Sequence, residues 1–290
     1  MEQRKRRFGD RSEGRRIRTS HHIDRLSPYI MRTRNASSNF LRDSVDIEAM
    51  EAYIHAKRRA GLDDFGILHV MLAAYVRTVS QKPAINRFIS GQKVYARNNI
   101  QAMITVKKEM RADAPDTVIK VVFPAIATAA EVYGILHSEI LKNKRTDSGF
   151  DDTAKALHYI PGLLLKFVVW LLHLLDYFGL IPKGLLAVSP FHGSIYITSM
   201  GSLGIPPIFH HLYDFGNVPV FCSFGAKQKR YELQADGSIR ERKSIDYAFV
   251  TDERICDGFC YASALKLIKT FLKDPTVLDI PPKSVVEDID

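Results

Sequence analysis

The sequence predicts an α+β or α/β chain in which a mixed β-sheet packs against helices, and three observations lead there. Helical and strand-like stretches are interspersed along the chain rather than segregated. The second half is rich in strands and carries a hairpin signal at Ala235-Asp236-Gly237-Ser238. The 290 residues, 46% of them hydrophobic, suffice to fill one large core.

The chain begins with a basic segment. Residues 1–34 hold eleven Lys/Arg against four Asp/Glu, which leaves only +2 of the +9 net charge for the remainder. Residues 1–19 are expected to form a flexible basic arm, and 20–290 a single domain. Such an arm attracts phosphate or anionic lipid. It lacks interleaved aromatics, an RNP-like run and zinc spacing, so no specific nucleic-acid partner is predicted. It also lacks an apolar stretch of signal-peptide type.

Helical spacing then runs over Val45 to Ala60, with Asp46 as the expected N-cap, and over Gly66 to Val79. Short β-like runs follow at Arg87–Ser90, Lys93–Ala96, Ile100–Lys107 and Thr117–Phe123, the last ended by Pro124. Ala125 to Lys142 reads as a helix and the polar stretch 143–153 as a loop. Residues 160–182, IPGLLLKFVVWLLHLLDYFGLIP, are too charged for a membrane span of roughly 20 apolar residues. Leu164, Phe167, Val168, Leu171, Leu174, Leu175 and Phe178 share one side of a helical wheel, with Lys166, His173, Asp176 and Tyr177 on the other. This amphipathic helix is expected to bury its apolar side against the core or a neighbouring subunit, with a membrane surface as the alternative. Strands resume at Ser194–Thr198 and Val218–Phe224, the hairpin pairs Gln228–Gln234 with Ile239–Val250, and Phe259–Leu272 closes the fold as a helix.

Three cysteines, Cys222, Cys256 and Cys260, form no C-x-x-C unit, which argues against a disulfide framework and for the reducing cytoplasm. Without an accompanying His or carboxylate set they make no metal site, and they are expected to be small buried hydrophobes.

Several local stretches resemble one known family. Asp252-Glu253-Arg254-Ile255-Cys256-Asp257-Gly258 is similar to D-H-R-x-x-D-G of the dihydrolipoyl acyltransferases, the core subunits of 2-oxoacid dehydrogenase complexes. Gly193 to Gly204 (GSIYITSMGSLG) resembles that family's G-G-T-F-T-I-S-N-x-G-x-x-G, and Lys82-Pro83-Ala84-Ile85-Asn86 its F-P-x-x-N turn. Val45 to Met50 resembles its D-x-T-x-L helix start, and Asn98 to Val106 its N-I-G-I-A-V strand. The resemblance, shared with chloramphenicol acetyltransferase, runs from about Ile23 to the last helix.

The resemblance implies a chloramphenicol acetyltransferase-like two-layer α/β sandwich over residues 20–290. It also implies an acyl group moved between coenzyme A or lipoyl thioesters, without metal. Its partners would be two further copies in a homotrimer with sites between subunits, and other subunits of an acyltransferase complex. In the family a histidine takes a thiol proton, a hydroxyl steadies the oxyanion and an aspartate holds the turn. The matching positions here are Glu253, Thr198 and Asp257. The exchange of histidine for Glu253 leaves two readings: an acyltransferase with an altered base, or an inactive member kept as an oligomeric scaffold. The segment after Val106 also departs from the family, and no lipoyl-domain pattern precedes the domain. His192, His210 and His211 are weighed as substitute bases and expected to be packing or surface histidines.

Overall fold

The computed structural model describes residues 6–107, 116–145 and 159–290. Chain order gives β1 (Gly14–Arg16), α1 (His22–Ile30), β2 (Ser38–Asp46), α2 (Glu48–Arg59) and α3 (Ile67–Gln81). Next come β3 (Arg87–Ser90), β4 (Lys93–Arg97), β5 (Ile100–Lys107), β6 (Asp116–Phe123) and α4 (Ala129–Arg145). Then follow α5 (Gly162–Phe178), α6 (Lys183–Val188), β7 (Ile195–Ser199), β8 (Val220–Leu233), β9 (Ile239–Asp252) and α7 (Gly258–Lys273).

A six-stranded sheet ordered β2-β9-β8-β7-β5-β6 forms the centre, and β1-β4-β3 makes a smaller second sheet. Strand β7 is parallel to both neighbours while the other pairs are antiparallel, so the sheet is mixed as the sequence predicts. Ile195 and Ile197 on β7 and Phe249 on β9 point to one face, where they meet Leu72 of α3, Val132 of α4 and Leu265 of α7. Period-2 alternation sends Tyr196, Phe221 and Val250 to the opposite face, which is covered only in part, by Leu212 and Tyr213. Phe40 and Phe209 remain exposed there, edge to face at 5.5 Å.

The first predicted helix is shorter than its spacing suggests. Val45 and Asp46 belong to β2, paired with Ile245 and Ser244, and the helix starts only at Glu48. Asp46 still serves the helix start, its Oδ1 accepting from the Glu48 N–H at 2.9 Å. Helix α4 begins at Ala129 because Thr128 and Glu131 form a reciprocal cap, Glu131 Oε2 accepting from Thr128 N at 2.8 Å. The stretch from residue 146 of the predicted polar loop lies outside the described residues. Of the predicted basic arm, residues 14–16 pair with β4 and the Arg18 and Thr19 N–H groups donate to the Asp290 carbonyl.

His69 illustrates what the core demands of a polar side chain. It stacks on Phe65 at 5.3 Å and its Nδ1 accepts from Gly66 N at 3.0 Å, holding the α3 start. Burial pushes its pKa down from 6.5 to about 4. The folded value lies below the unfolded one, so the unfolded chain binds the proton more tightly. Stability is fully present above the unfolded value and declines as pH falls toward 4, by about 2 kcal/mol at pH ~5. Urea unfolding of the wild type near neutrality and at that acid pH should show this loss, and His69→Asn should flatten it.

Candidate active site

Strand β9 delivers the Asp252 carboxylate to a buried position at the very end of the sheet. Its two oxygens accept from the Arg254 guanidinium, Oδ1 from Nε at 2.8 Å and Oδ2 from Nη2 at 2.7 Å. Oδ1 also accepts from the Arg254 N–H at 3.2 Å and from Ser37 Oγ at 3.2 Å, which closes a tight turn. Arg254 Nη1 donates to the Met31 carbonyl at 2.9 Å, fixing the turn to the end of α1. Between these buried residues Glu253 stands exposed. Asp257 then caps α7, its Oδ1 accepting from Cys260 N at 2.7 Å. The sequence thus places Glu253 at the tip of a turn whose flanks are fixed on both sides.

Arg34 is the site residue that sequence patterns missed. It is buried, and its Nε lies 3.6 Å from Asp252 Oδ2. Burial lowers its pKa from the ordinary arginine value, and the neighbouring Arg254 charge adds to this while Asp252 opposes it. Asp214 anchors the same region by accepting from the Arg34 and Asn35 N–H groups at 2.8 and 3.1 Å. No local pattern marks Arg34, because its partners lie far along the chain. A cavity of about 630 Å³ opens beside the turn, with Arg32, Arg34, Arg254, His173 and Asp214 in its wall.

Thr198 lies elsewhere. It sits half-buried near the end of β7, on the Tyr196 face, just before the turn at Gly201–Leu203. That turn packs tightly: a Cβ on Gly201 would come within 2.8 Å of the Gly225 carbonyl oxygen. The register aligns Thr198 with Ser223 on β8, and Ser223 with Ala248 on β9. Asp252 is four residues further along β9, so the two positions are separated by roughly 13 Å along the strands and roughly 10 Å across them. One chain therefore does not bring Thr198 and Glu253 together. A separate cavity of about 360 Å³, walled by His55, Arg58, Ser199, Gly201 and Lys227, opens at the Thr198 end.

Of the three histidines considered as substitutes, His192 is buried, His210 half-buried and His211 exposed. His192 is buried, its Nδ1 2.8 Å from Ser189 Oγ and its Nε2 3.3 Å from Asp176 Oδ1. His210 stacks on Phe221 at 4.4 Å and on His211 at 4.3 Å. Among the described residues no three His, Cys, Asp or Glu side chains gather as a metal site.

The cysteines divide. Cys222 is buried in the core as expected, whereas Cys256 and Cys260 are only half-buried and hydrogen-bonded to one another. That bond is the main cause that lowers the Cys260 thiol to about 7, with the Arg87 cation assisting, while it raises Cys256. Burial alone pushes the Cys222 thiol upward. Iodoacetamide near neutral pH should therefore modify Cys260 well before Cys222, as peptide mass mapping over time would show.

No protein-family profile matches the chain, and no curated protein matches it in sequence. Solved structures do. A probable dihydrolipoamide acetyltransferase from Listeria monocytogenes superposes with a TM-score of 0.56 at 14% identity, over 87% of this chain and 89% of that one. The dihydrolipoamide acetyltransferase of Azotobacter vinelandii, examined for the catalytic role of a serine, a histidine and an asparagine, gives 0.52 at 13% identity over 88% of each chain. A chloramphenicol acetyltransferase gives 0.51 at 13% identity, over 90% of this chain and all of the other. These likenesses establish the fold.

Proposed function

We propose that this chain, which has the fold of the dihydrolipoamide and chloramphenicol acetyltransferases, is an acyltransferase acting on a thioester of coenzyme A or of a lipoyl group. Its site forms between copies. The observation that carries this reading is the turn from Asp252 to Arg254, which holds the exposed Glu253 between two buried neighbours that are doubly hydrogen-bonded to one another. Such preorganisation is what a proton-transfer group requires. In the Azotobacter vinelandii enzyme a serine, a histidine and an asparagine are the groups studied. Thr198, Glu253 and Asp257 are their counterparts in this reading.

The roles follow from chemistry. Glu253 accepts the proton of an incoming thiol, and the thiolate attacks the thioester carbonyl. The Thr198 hydroxyl donates to the oxyanion of the tetrahedral intermediate. Collapse expels the first thiol as thiolate, which recovers a proton from Glu253, and the acyl group has changed sulfur. Asp257 keeps the turn in place through the α7 cap. Because Thr198 and Glu253 lie at distant points of one sheet, a second copy supplies one of them. The partly open sheet face bearing Phe40 and Phe209 is the surface suited to that association, and a homotrimer is the expected assembly, with further complex subunits as partners.

Incubation with acetyl-coenzyme A and thiol or amine acceptors tests the reading. Turnover should be seen in the wild type and lost in Glu253→Ala and Thr198→Ala. A wild type without turnover or coenzyme A binding would leave the second reading, an inactive oligomeric scaffold. The observation favouring that reading is Glu253 itself, whose side-chain class is a weaker base toward a thiol than histidine.

A further inference from the structure

Helix α5 is turned by about a quarter from the sequence expectation: of the expected apolar side only Val168 and Leu175 lie toward the body, and Leu164, Phe167, Leu171, Leu174 and Phe178 are exposed. Its body-facing side carries Leu165, Val168, Leu172, Leu175 and Asp176, all only half-buried, and no residue of the helix is fully buried. The outward side is apolar: Leu163 is 88% exposed, Phe178 61%, Trp170 56% and Phe167 54%. At 100° per residue these positions, with Leu171 and Leu174, fall on a single arc opposite the docked face. The acid of the helix, Asp176, faces inward toward His192. An exposed apolar stripe of this size is the mark of an interaction surface.

A cationic surface begins where that stripe ends. Arg11 Nη2 donates to the Tyr177 carbonyl at 2.6 Å, and the Arg11 guanidinium lies where a side chain on Gly179 would stand. Gly179 adopts φ 70°, so its backbone conformation and the missing Cβ both belong to this junction. From there a cleft of about 800 Å³ is walled by Arg6, Arg7, Arg11, Arg15, Arg18 and Lys183. Asp10 pairs with Arg18 at 2.9 Å, Asp290 with Arg7 at 2.8 Å and Arg15 at 3.6 Å, and Glu13 also lines the cleft, yet its cations still outnumber these acids.

We infer that this combined surface docks on an anionic lipid bilayer, α5 lying in the headgroup plane with its outward side in the acyl boundary. Two signals are what stable peripheral attachment needs, an apolar helix face and an adjoining polybasic patch, and here Arg11 joins them. A second copy of the chain suits the face less well. Pairing the same surface on two copies would cover the apolar stripe but bring no anionic group to the cationic cleft. A span is excluded by length, since no described helix is long and apolar enough to cross a membrane.

Trp170 is the only tryptophan in the chain, which makes its emission a direct probe of the face. Mixing the full chain with vesicles of phosphatidylcholine and phosphatidylglycerol should move that emission to shorter wavelength and carry the protein down with the vesicles. Phosphatidylcholine vesicles alone should do neither, and added salt should weaken the binding. Phe167→Ser, an exposed substitution, should lower vesicle partitioning by about 10-fold. An unchanged emission, or an equal response to both vesicle types, would overturn the inference. So would a lipid-free Trp170 already shielded from acrylamide, with Phe167→Ser changing the oligomer mass, because the face would then belong to another copy.

Discussion

Asp252→Asn is expected to destabilise the fold by about 3–5 kcal/mol, the cost of removing one partner from a buried ion pair. Arg34 and Arg254 are 5% and 4% exposed, and Asp252 is the carboxylate both approach. An asparagine keeps the shape and leaves two guanidiniums side by side without their counter-charge. The turn that presents Glu253 would loosen with them, because Arg254 also ties it to Met31. The thermal midpoint should fall by on the order of 10 °C. Replacing the pair together, as D252N/R254M, should recover part of the loss, since no unpaired Arg254 charge then remains. A midpoint unchanged in the single variant would mean that the pair contributes nothing net.

Glu253→His is expected to raise thiol-to-thiol acetyl transfer by about 100-fold. As a class, the imidazole is a stronger base toward a thiol than a carboxylate by roughly 2 pKa units between free side chains, or about 3 kcal/mol. The exposed setting of Glu253 gives the larger ring room without repacking the core. Initial rates with acetyl-coenzyme A and a dithiol acceptor, in wild type and variant at equal concentration, give the comparison. A variant no faster than the wild type would mean that proton removal does not limit the reaction. Activity appearing only in the variant would favour the scaffold reading of the natural chain.

Much of the fold could be read from side-chain periodicity, and what could not has physical causes. Strands β3 to β7 and the β8–β9 hairpin announce themselves by alternation and by the turn ending at Gly237, with φ 81°. Strand β2 (SNFLRDSVD) escaped because it is an edge strand with one face open to solvent, and Arg42, Asp43 and Ser44 blur its apolar alternation. The pattern of α5 showed a stripe, yet a wheel does not say which side meets the body. Only the docking of its C-terminal end settles that, through Ser90 Oγ to the Asp176 carbonyl and Arg11 to Tyr177. At the candidate site the motif letters pointed to Glu253, Asp257 and Thr198. Their separation depends on the register across β8, and the support from Arg34 depends on contacts between distant segments. Neither property is local.

The distance between Thr198 and Glu253 makes the central claim testable by complementation. Thr198→Ala and Glu253→Ala chains, each inactive alone, can be unfolded together in equal amounts and refolded as mixed oligomers. A site built from Thr198 of one copy and Glu253 of another should regain roughly a quarter of the wild-type transfer of acetyl from acetyl-coenzyme A, the share of interfaces that receive both intact groups. Activity in the mixture no greater than in either variant, against an active wild type refolded in the same way, would contradict the account.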